Sequence, residues 1–298
     1  MSFDQSRFAQ LLARELSPFR TRAVGVPDGA TLRVFECGLE SAPPLIIVNP
    51  IGIPILLVAR LALRLAESFR VICWEQRGVN APAADFFGRP HGFDAFVSDL
   101  VEIAGVSGAT DGHPMIGVCS GAAQLVRATA TGAISPSSLV LVSPQLRFSV
   151  GYTPSQFERT VVPYMRAISS GRLEIAQQLL ELSQREFFAP GTTDDVLLVH
   201  AADRSNLNSL DSLRVYASTA EIFTRELCDA DFGAISQDVC IVSARGDKMI
   251  SVESVRQLPT RMRSARYREY SEGGHHAIFL NAQLRDDLYA ELTTTGLL

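Results

Sequence analysis

Several features that would assign a chain quickly are missing here. There is no long basic run, and 27 Lys and Arg against 32 Asp and Glu leave a net charge of −5. Nucleic acid and anionic membrane surfaces are therefore poor partners. No apolar run is long enough to span a bilayer. IGIPILLVARLALRLA, at 51–66, is broken by Pro54, Arg60 and Arg64, so it reads as a buried helix. The N-terminal stretch MSFDQSRFAQLLARELS carries acidic residues and an amphipathic helical pattern, not the basic-then-apolar layout of a signal peptide. There are five cysteines, Cys37, Cys73, Cys119, Cys228 and Cys240, an odd number without short spacings. They read as reduced thiols in a cytoplasmic protein, not as a disulfide framework. The five histidines and the cysteines show no metal-ligand spacing, and no metal or other cofactor is implied. Repeats and low-complexity segments are absent too.

What is present is a chain of 298 residues, 47% of them hydrophobic, enough for one large α/β domain with an insertion. Thr21 to Gly38 reads as a hairpin around Pro27-Asp28-Gly29. Apolar strands are expected at Pro44–Pro50, in FRVICWEQRG, in PMIGV, at Ser137–Leu146, at Asp238–Asp247 and at Ala265–His275. Helical patterns lie between them, at Pro54–Glu67, in GFDAFVSDLVEIAGV and in AAQLVRATATG, and one closes the chain near AQLRDDLYAELTTT. Alternating strands and helices predict a mainly parallel sheet covered on both faces. The alternation stops between Arg147 and Ile235. There SQFERTVVPYMRAISSG, RLEIAQQLLELSQREFF and SLDSLRVYASTAEIFTREL read as helices of a cap over the sheet. The expected organisation is a core of residues 1–146 and 236–298 interrupted by a helical lid at 147–235.

PMIGVCSGAAQLV, at 114–126, joins strand to helix through Gly117-Val118-Cys119-Ser120-Gly121. A serine hydrolase presents its nucleophile on such a turn, which is strained and needs small residues on both sides. Three readings arise: a cysteine nucleophile, a serine enzyme displaced onto Ser120, or a buried thiol in a dead site. The two glycines centre the turn on Cys119. The helix that follows points its N-terminal amides at this position, where a thiolate or an oxyanion is stabilised. Ser120 then contributes its backbone N–H as an oxyanion donor. Further along, SARGDKMIS puts Asp247 just past a strand, and SEGGHHAIF puts His275 after two glycines at the end of the last strand. His276 adjoins it as an alternative base. The order nucleophile, acid, histidine, each at the C-terminal end of a strand, is that of the α/β-hydrolase arrangement.

On these residues the chain resembles an α/β-hydrolase over nearly its whole length. Asn49-Pro50-Ile51-Gly52 stands where the family usually has a His-Gly oxyanion loop, and Glu75-Gln76-Arg77-Gly78 where it often has Asp-x-Arg-Gly. The resemblance implies a Cys119, Asp247, His275 triad. It also implies an oxyanion hole from the amides of Ser120 and Ile51, with Gly52 the near alternative. Glu75 and Arg77 read as structural anchors, and Trp74, the single tryptophan, as core.

A cysteine at the elbow keeps the acyl group as a thioester, reactive toward amines, thiols and carbanions as well as water. Among cysteine-elbow groups, size and layout are similar to thioesterase-like cyclases and acyltransferases of polyketide and nonribosomal-peptide pathways, Dieckmann cyclases included. In the latter the acid can follow the strand before the cap. Here those positions are Ser143, Pro144 and Gln145, so Asp247 must serve. The leading expectation is an enzyme that takes an acyl chain from a carrier-protein or coenzyme A thioester onto Cys119. Release would follow by cyclisation or transfer, in natural-product biosynthesis. The alternatives are a plain ester, thioester or lactone hydrolase with the same triad, and a non-catalytic ligand-binding protein on a hydrolase scaffold.

Overall fold

The computed structural model describes residues 5–79, 81–183 and 192–294, with side chains from residue 10. The strands are β1 (Arg20–Gly25), β2 (Thr31–Cys37), β3 (Pro44–Val48), β4 (Arg70–Trp74), β5 (Met115–Val118), β6 (Ser138–Val142), β7 (Asp238–Ala244) and β8 (Ala265–Tyr270). They form one eight-stranded sheet in the order β1-β2-β4-β3-β5-β6-β7-β8. β1 and β2, and β2 and β4, pair antiparallel, and every pairing from β4 through β8 is parallel. The expected mainly parallel α/β sheet is therefore present.

Local sequence explains the pieces. Val26 and Ala30 close the hairpin turn, Gly29 takes a left-handed φ of 81°, and the Asp28 carboxylate accepts the Ala30 N–H. β3 and β5 are covered on both faces, which is why Leu45, Ile46, Ile47 and Val48 are wholly buried. The edge strands differ. β1 exposes Arg20 and Arg22, and β8 exposes Arg266 and Arg268, charges that discourage further strand addition. The helices Leu56–Leu65, Phe93–Val106, Gly121–Ala130 and Ala282–Thr294 stand where helical spacing predicts them.

Between β6 and β7 the regular elements among the described residues are all helices. The patterned stretch at 155–171 divides into helices Gln156–Thr160 and Val162–Ser169, with Pro163 in the first turn of the second. Leu173–Ser183 follows, and residues 184–188 of the second expected pattern lie outside the described residues. Asp194–Asp203 is a helix that apolar spacing does not announce, since Val196, Leu197, Leu198 and Val199 run consecutively. Leu210–Arg225 is the longest of the block. Met165, Ile168, Ala176, Leu213, Ala217 and Ala220 form an apolar cluster of their own, separate from the main core. Among the described residues no helix is long and apolar enough to cross a membrane.

Trp74 is fully buried at the end of β4, as expected of a core residue. Arg77, just beyond, is an anchor. Its guanidinium binds the fully buried Asp99, at 2.7 Å from Nε, and Asp28 of the hairpin at 2.8 Å. Glu75 pairs separately with Arg33 at 3.5 Å.

Candidate active site

β5 ends at Val118, and the next residue, Cys119, has a φ of 52°. A non-glycine residue in the left-handed region is strained and is held there only by its surroundings. Those surroundings are explicit. The Cys119 N–H donates to Val142 O at 2.9 Å, and the Cys119 carbonyl accepts from Gln145 N at 2.9 Å. The flanking glycines are required by space. A Cβ on Gly117 would sit 2.6 Å from Ala122 Cα, and one on Gly121 would sit 2.2 Å from Val48 O. Tight packing of helix Gly121–Ala130 on β3 and β5 thus lifts Cys119 at the C-terminal edge of the sheet.

Asp247 follows β7 and His275 follows β8, so the parallel sheet brings both to the same edge. His275 Nδ1 donates to Asp247 Oδ2 at 3.0 Å. The other oxygen, Oδ1, accepts the backbone N–H groups of Met249 at 2.9 Å and Ile250 at 2.8 Å. The carboxylate is fully buried and fully used, which fixes its direction. Burial raises its pKa, but the charge on His275 and these hydrogen bonds outweigh it and hold Asp247 below its ordinary value. For His275, burial acts downward while the Asp247 charge and the Cys119 sulfur act upward. The neighbours win, and its pKa lies well above the ordinary histidine value. Because Nδ1 is committed to Asp247, Nε2 is the nitrogen left to serve Cys119, which lines the same pocket.

The backbone before His275 is built for this. Gly273 has a φ of 102°, and a Cβ there would lie 2.7 Å from Ala277 Cα. His276 turns elsewhere: its Nε2 meets Asp203 Oδ1 at 3.0 Å, on the helix that sequence reading missed. The structure thus brings Cys119, Asp247 and His275 together, and it ties His276 to the inserted helices.

The oxyanion loop differs from expectation in one contact. The Ile51 N–H is already engaged, donating to Ser120 Oγ at 2.9 Å. The loop that carries it is braced by Asn49 Nδ2 on Ile53 O at 2.7 Å and by Gln76 Nε2 on Asn49 O at 2.9 Å. That bracing is a use for asparagine where a histidine is usual. Gly52, the alternative donor, has a φ of 67°, and a Cβ there would lie 2.4 Å from the Tyr216 ring.

Above Cys119 the pocket is lined by Ile51, Ile53, Leu57, Met249 and Ile250 of the sheet side. The inserted helices contribute Phe157, Asp203, Tyr216 and Ala220 to the same pocket. Burial, with the charges of Cys119 and Asp203, pushes the Tyr216 phenol far up, so it stays neutral and able to donate. A wider cleft between Arg33, Arg77, Asp85 and Arg89 holds none of these residues. The four other cysteines are buried, and burial raises their thiol pKa values: Cys37 and Cys228 to about 12, Cys240 less, and Cys73 well above the ordinary value.

The sheet order, the elbow after β5 and the positions of Asp247 and His275 define an α/β-hydrolase fold. Solved structures agree. An esterase from Rhodococcus sp. ECU1013 superposes with a TM-score of 0.71 at 16% identity, over 93% of this chain and 99% of that one. The enol-lactonase from Burkholderia xenovorans LB400 gives 0.68 at 18% identity, over 91% and 98%. The 2-hydroxy-6-oxo-6-phenylhexa-2,4-dienoate hydrolase from Rhodococcus sp. strain RHA1 gives 0.65 at 14% identity, over 92% and 99%. No protein-family model matches the chain, and no curated protein matches it by sequence.

Proposed function

We propose that this protein is a cysteine-dependent acyl hydrolase acting on an ester, thioester or lactone through Cys119, His275 and Asp247. The observation that carries the reading is the His275 ring, held by the buried Asp247 carboxylate and sharing a pocket with a cysteine in the strained φ of a strand-to-helix turn. The solved structures of similar fold support it, since their names are those of an esterase, a lactonase and a dienoate hydrolase. In the reaction the Cys119 sulfur attacks the carbonyl carbon, a C–S bond forms, and the carbonyl oxygen takes the negative charge. His275 takes the Cys119 proton as the sulfur attacks and passes it to the leaving group as the bond between that group and the carbonyl carbon breaks. It then takes a proton from the incoming water as the water oxygen bonds to the carbonyl carbon, and returns it to the Cys119 sulfur as the C–S bond breaks and the acid leaves, while Asp247 keeps the ring in one tautomer. The helical block at 147–235 acts as a lid, and its Phe157, Tyr216 and Ala220 complete an acyl pocket with Ile51, Ile53 and Leu57.

A second reading, release by cyclisation or by transfer to a nucleophile other than water, is favoured by the cysteine itself and by the largely apolar pocket walls. Intact-protein mass spectrometry with short-chain p-nitrophenyl esters and N-acetylcysteamine thioesters tests both. Wild type is expected to gain the acyl mass and Cys119→Ala to stay unmodified. Turnover in ¹⁸O water that yields only labelled free acid supports hydrolysis, whereas unlabelled cyclic or transferred product supports the second reading. Turnover that survives Cys119→Ala overturns both. Ligand binding with no adduct and no turnover points to a binding protein on this scaffold.

A further inference from the structure

We propose that the side-chain hydroxyl of Ser120, not the Ile51 amide, supplies the second hydrogen bond to the oxyanion formed at Cys119. This inference rests on the reading of Cys119 as an acyl-accepting nucleophile. Ser120 is the residue before helix Gly121–Ala130, a position at which serine commonly caps the helix, yet its side chain makes no capping bond. It reaches across to the loop after β3 and accepts the Ile51 N–H at 2.9 Å. The residue is completely buried and borders the Cys119 pocket. A hydroxyl has one proton to donate, and among the described residues no hydrogen bond donated by Ser120 Oγ is found. A buried donor without an acceptor is costly, so a site that leaves one beside its nucleophile calls for an explanation. An acyl oxygen arriving at Cys119 supplies the missing acceptor.

The loop cannot readily turn to present Ile51 instead. Asn49 and Gln76 brace it, and the Tyr216 ring closes over Gly52. The Ile51 N–H therefore acts through the hydroxyl. Donation into Ser120 Oγ polarises its O–H bond and strengthens the hydrogen bond it gives. As the C–S bond forms, the carbonyl π pair moves onto oxygen, where the Ser120 N–H and O–H both donate. When the oxyanion collapses, the pair returns and the bond to the leaving group breaks. The Ser120 proton stays on Ser120 throughout.

The test compares Ser120→Ala with wild type in two reactions of the same sulfur. Single-turnover release of nitrophenolate from p-nitrophenyl acetate passes through an oxyanion, whereas alkylation by iodoacetamide does not. We expect Ser120→Ala to slow acylation on the order of 10²-fold and to leave alkylation of Cys119 within about twofold. Acylation as fast as wild type, or faster because Ile51 is released to donate directly, overturns the proposal. So does a loss of equal size in both reactions, which would mean the hydroxyl only holds the elbow together. Should Ser120→Ala not fold, judged by Trp74 fluorescence, Ser120→Gly is read in the same two assays with the same expectation. A wild type that releases no nitrophenolate overturns the Cys119 reading itself, an outcome distinct from a Ser120 variant that acylates normally.

Discussion

At the scale of single residues, the site is a problem in selective reactivity among five thiols. Cys119 is 8% exposed and borders the pocket, while Cys37, Cys73, Cys228 and Cys240 are at most 4% exposed, with burial opposing their ionisation. Iodoacetamide on the folded protein at neutral pH is expected to give one carbamidomethyl group, at Cys119, by peptide mapping. Labelling of a strand cysteine at a comparable rate would refute that. The charge on Asp247 is one of the causes that hold the His275 pKa up. Asp247→Asn should therefore move the His275 titration down toward or below about 6.5, followed by NMR of the ring, and slow acyl transfer on the order of 10²-fold. The sign extends to stability. A raised His275 pKa stabilises the fold fully below the unfolded value of about 6.5 and loses that contribution as pH rises through the folded value. Asp247 works the other way: its contribution is present above about 3.8 and lost as pH falls through its lowered pKa. In Asp247→Asn both dependences shrink. Of this site, the elbow glycines and the three strand-end positions were legible in the sequence, because steric need and parallel topology dictate them. The Ser120 hydroxyl on the Ile51 amide was not, since no local pattern reports a contact between residues 69 apart in the chain.

At the scale of elements, packing distances decide which glycines matter. Gly121→Ala drives a Cβ to 2.2 Å from Val48 O, against backbone that cannot step aside. It should lower stability by ~1–3 kcal/mol or more, read from the urea midpoint. Gly105 is exposed near the end of helix Phe93–Val106, and a Cβ there would meet nothing within 4 Å. Gly105→Ala should raise stability by ~0.5–1 kcal/mol. A Gly121→Ala protein as stable as wild type would mean that helix Gly121–Ala130 is not locked onto β3. A second element-level joint is Arg77, which ties the hairpin through Asp28 to the helix that carries Asp99. Arg77→Met leaves the Asp99 carboxylate buried and unpaired, and should cost ~3–5 kcal/mol. Adding Asp99→Leu to Arg77→Met should recover much of that loss, and a double variant no better than the single one would show the cost lies elsewhere. The sheet was legible because buried parallel strands are continuous apolar runs bounded by turn residues, as PLIIV and SLVLV show. Helix Asp194–Asp203 was not, because both faces of its middle turn carry apolar residues and the helical period disappears.

The whole molecule divides its apolar contacts unequally, and that division bears on how substrate reaches Cys119. The main core joins the sheet to its flanking helices and takes in Leu198, Val199, Ala202, Val215 and Phe223 of the inserted block, while Met165, Ile168, Ala176, Leu213, Ala217 and Ala220 hold another part of the block together on their own. Across the mouth of the site the block is tied to the sheet side by polar contacts that water can replace. These are Asp203 with His276 at 3.0 Å and Ser205 Oγ with Gly52 O at 3.3 Å. A segment with its own small cluster and exchangeable ties opens at lower free energy than the sheet beneath it. Native-state hydrogen exchange should therefore give amides in Val162–Ser169 and Leu173–Ser183 opening free energies below those in β5 and β6. His276→Ala, which removes one tie without touching Asp247, should lower the value further for the inserted helices alone. An acyl group on Cys119 should raise it, because the chain fills the pocket between Leu57 below and Phe157 and Tyr216 above. Uniform exchange across sheet and insertion, unmoved by His276→Ala or by acylation, would mean that the block opens only with the whole protein, and substrate would have to reach Cys119 through the standing mouth of the pocket.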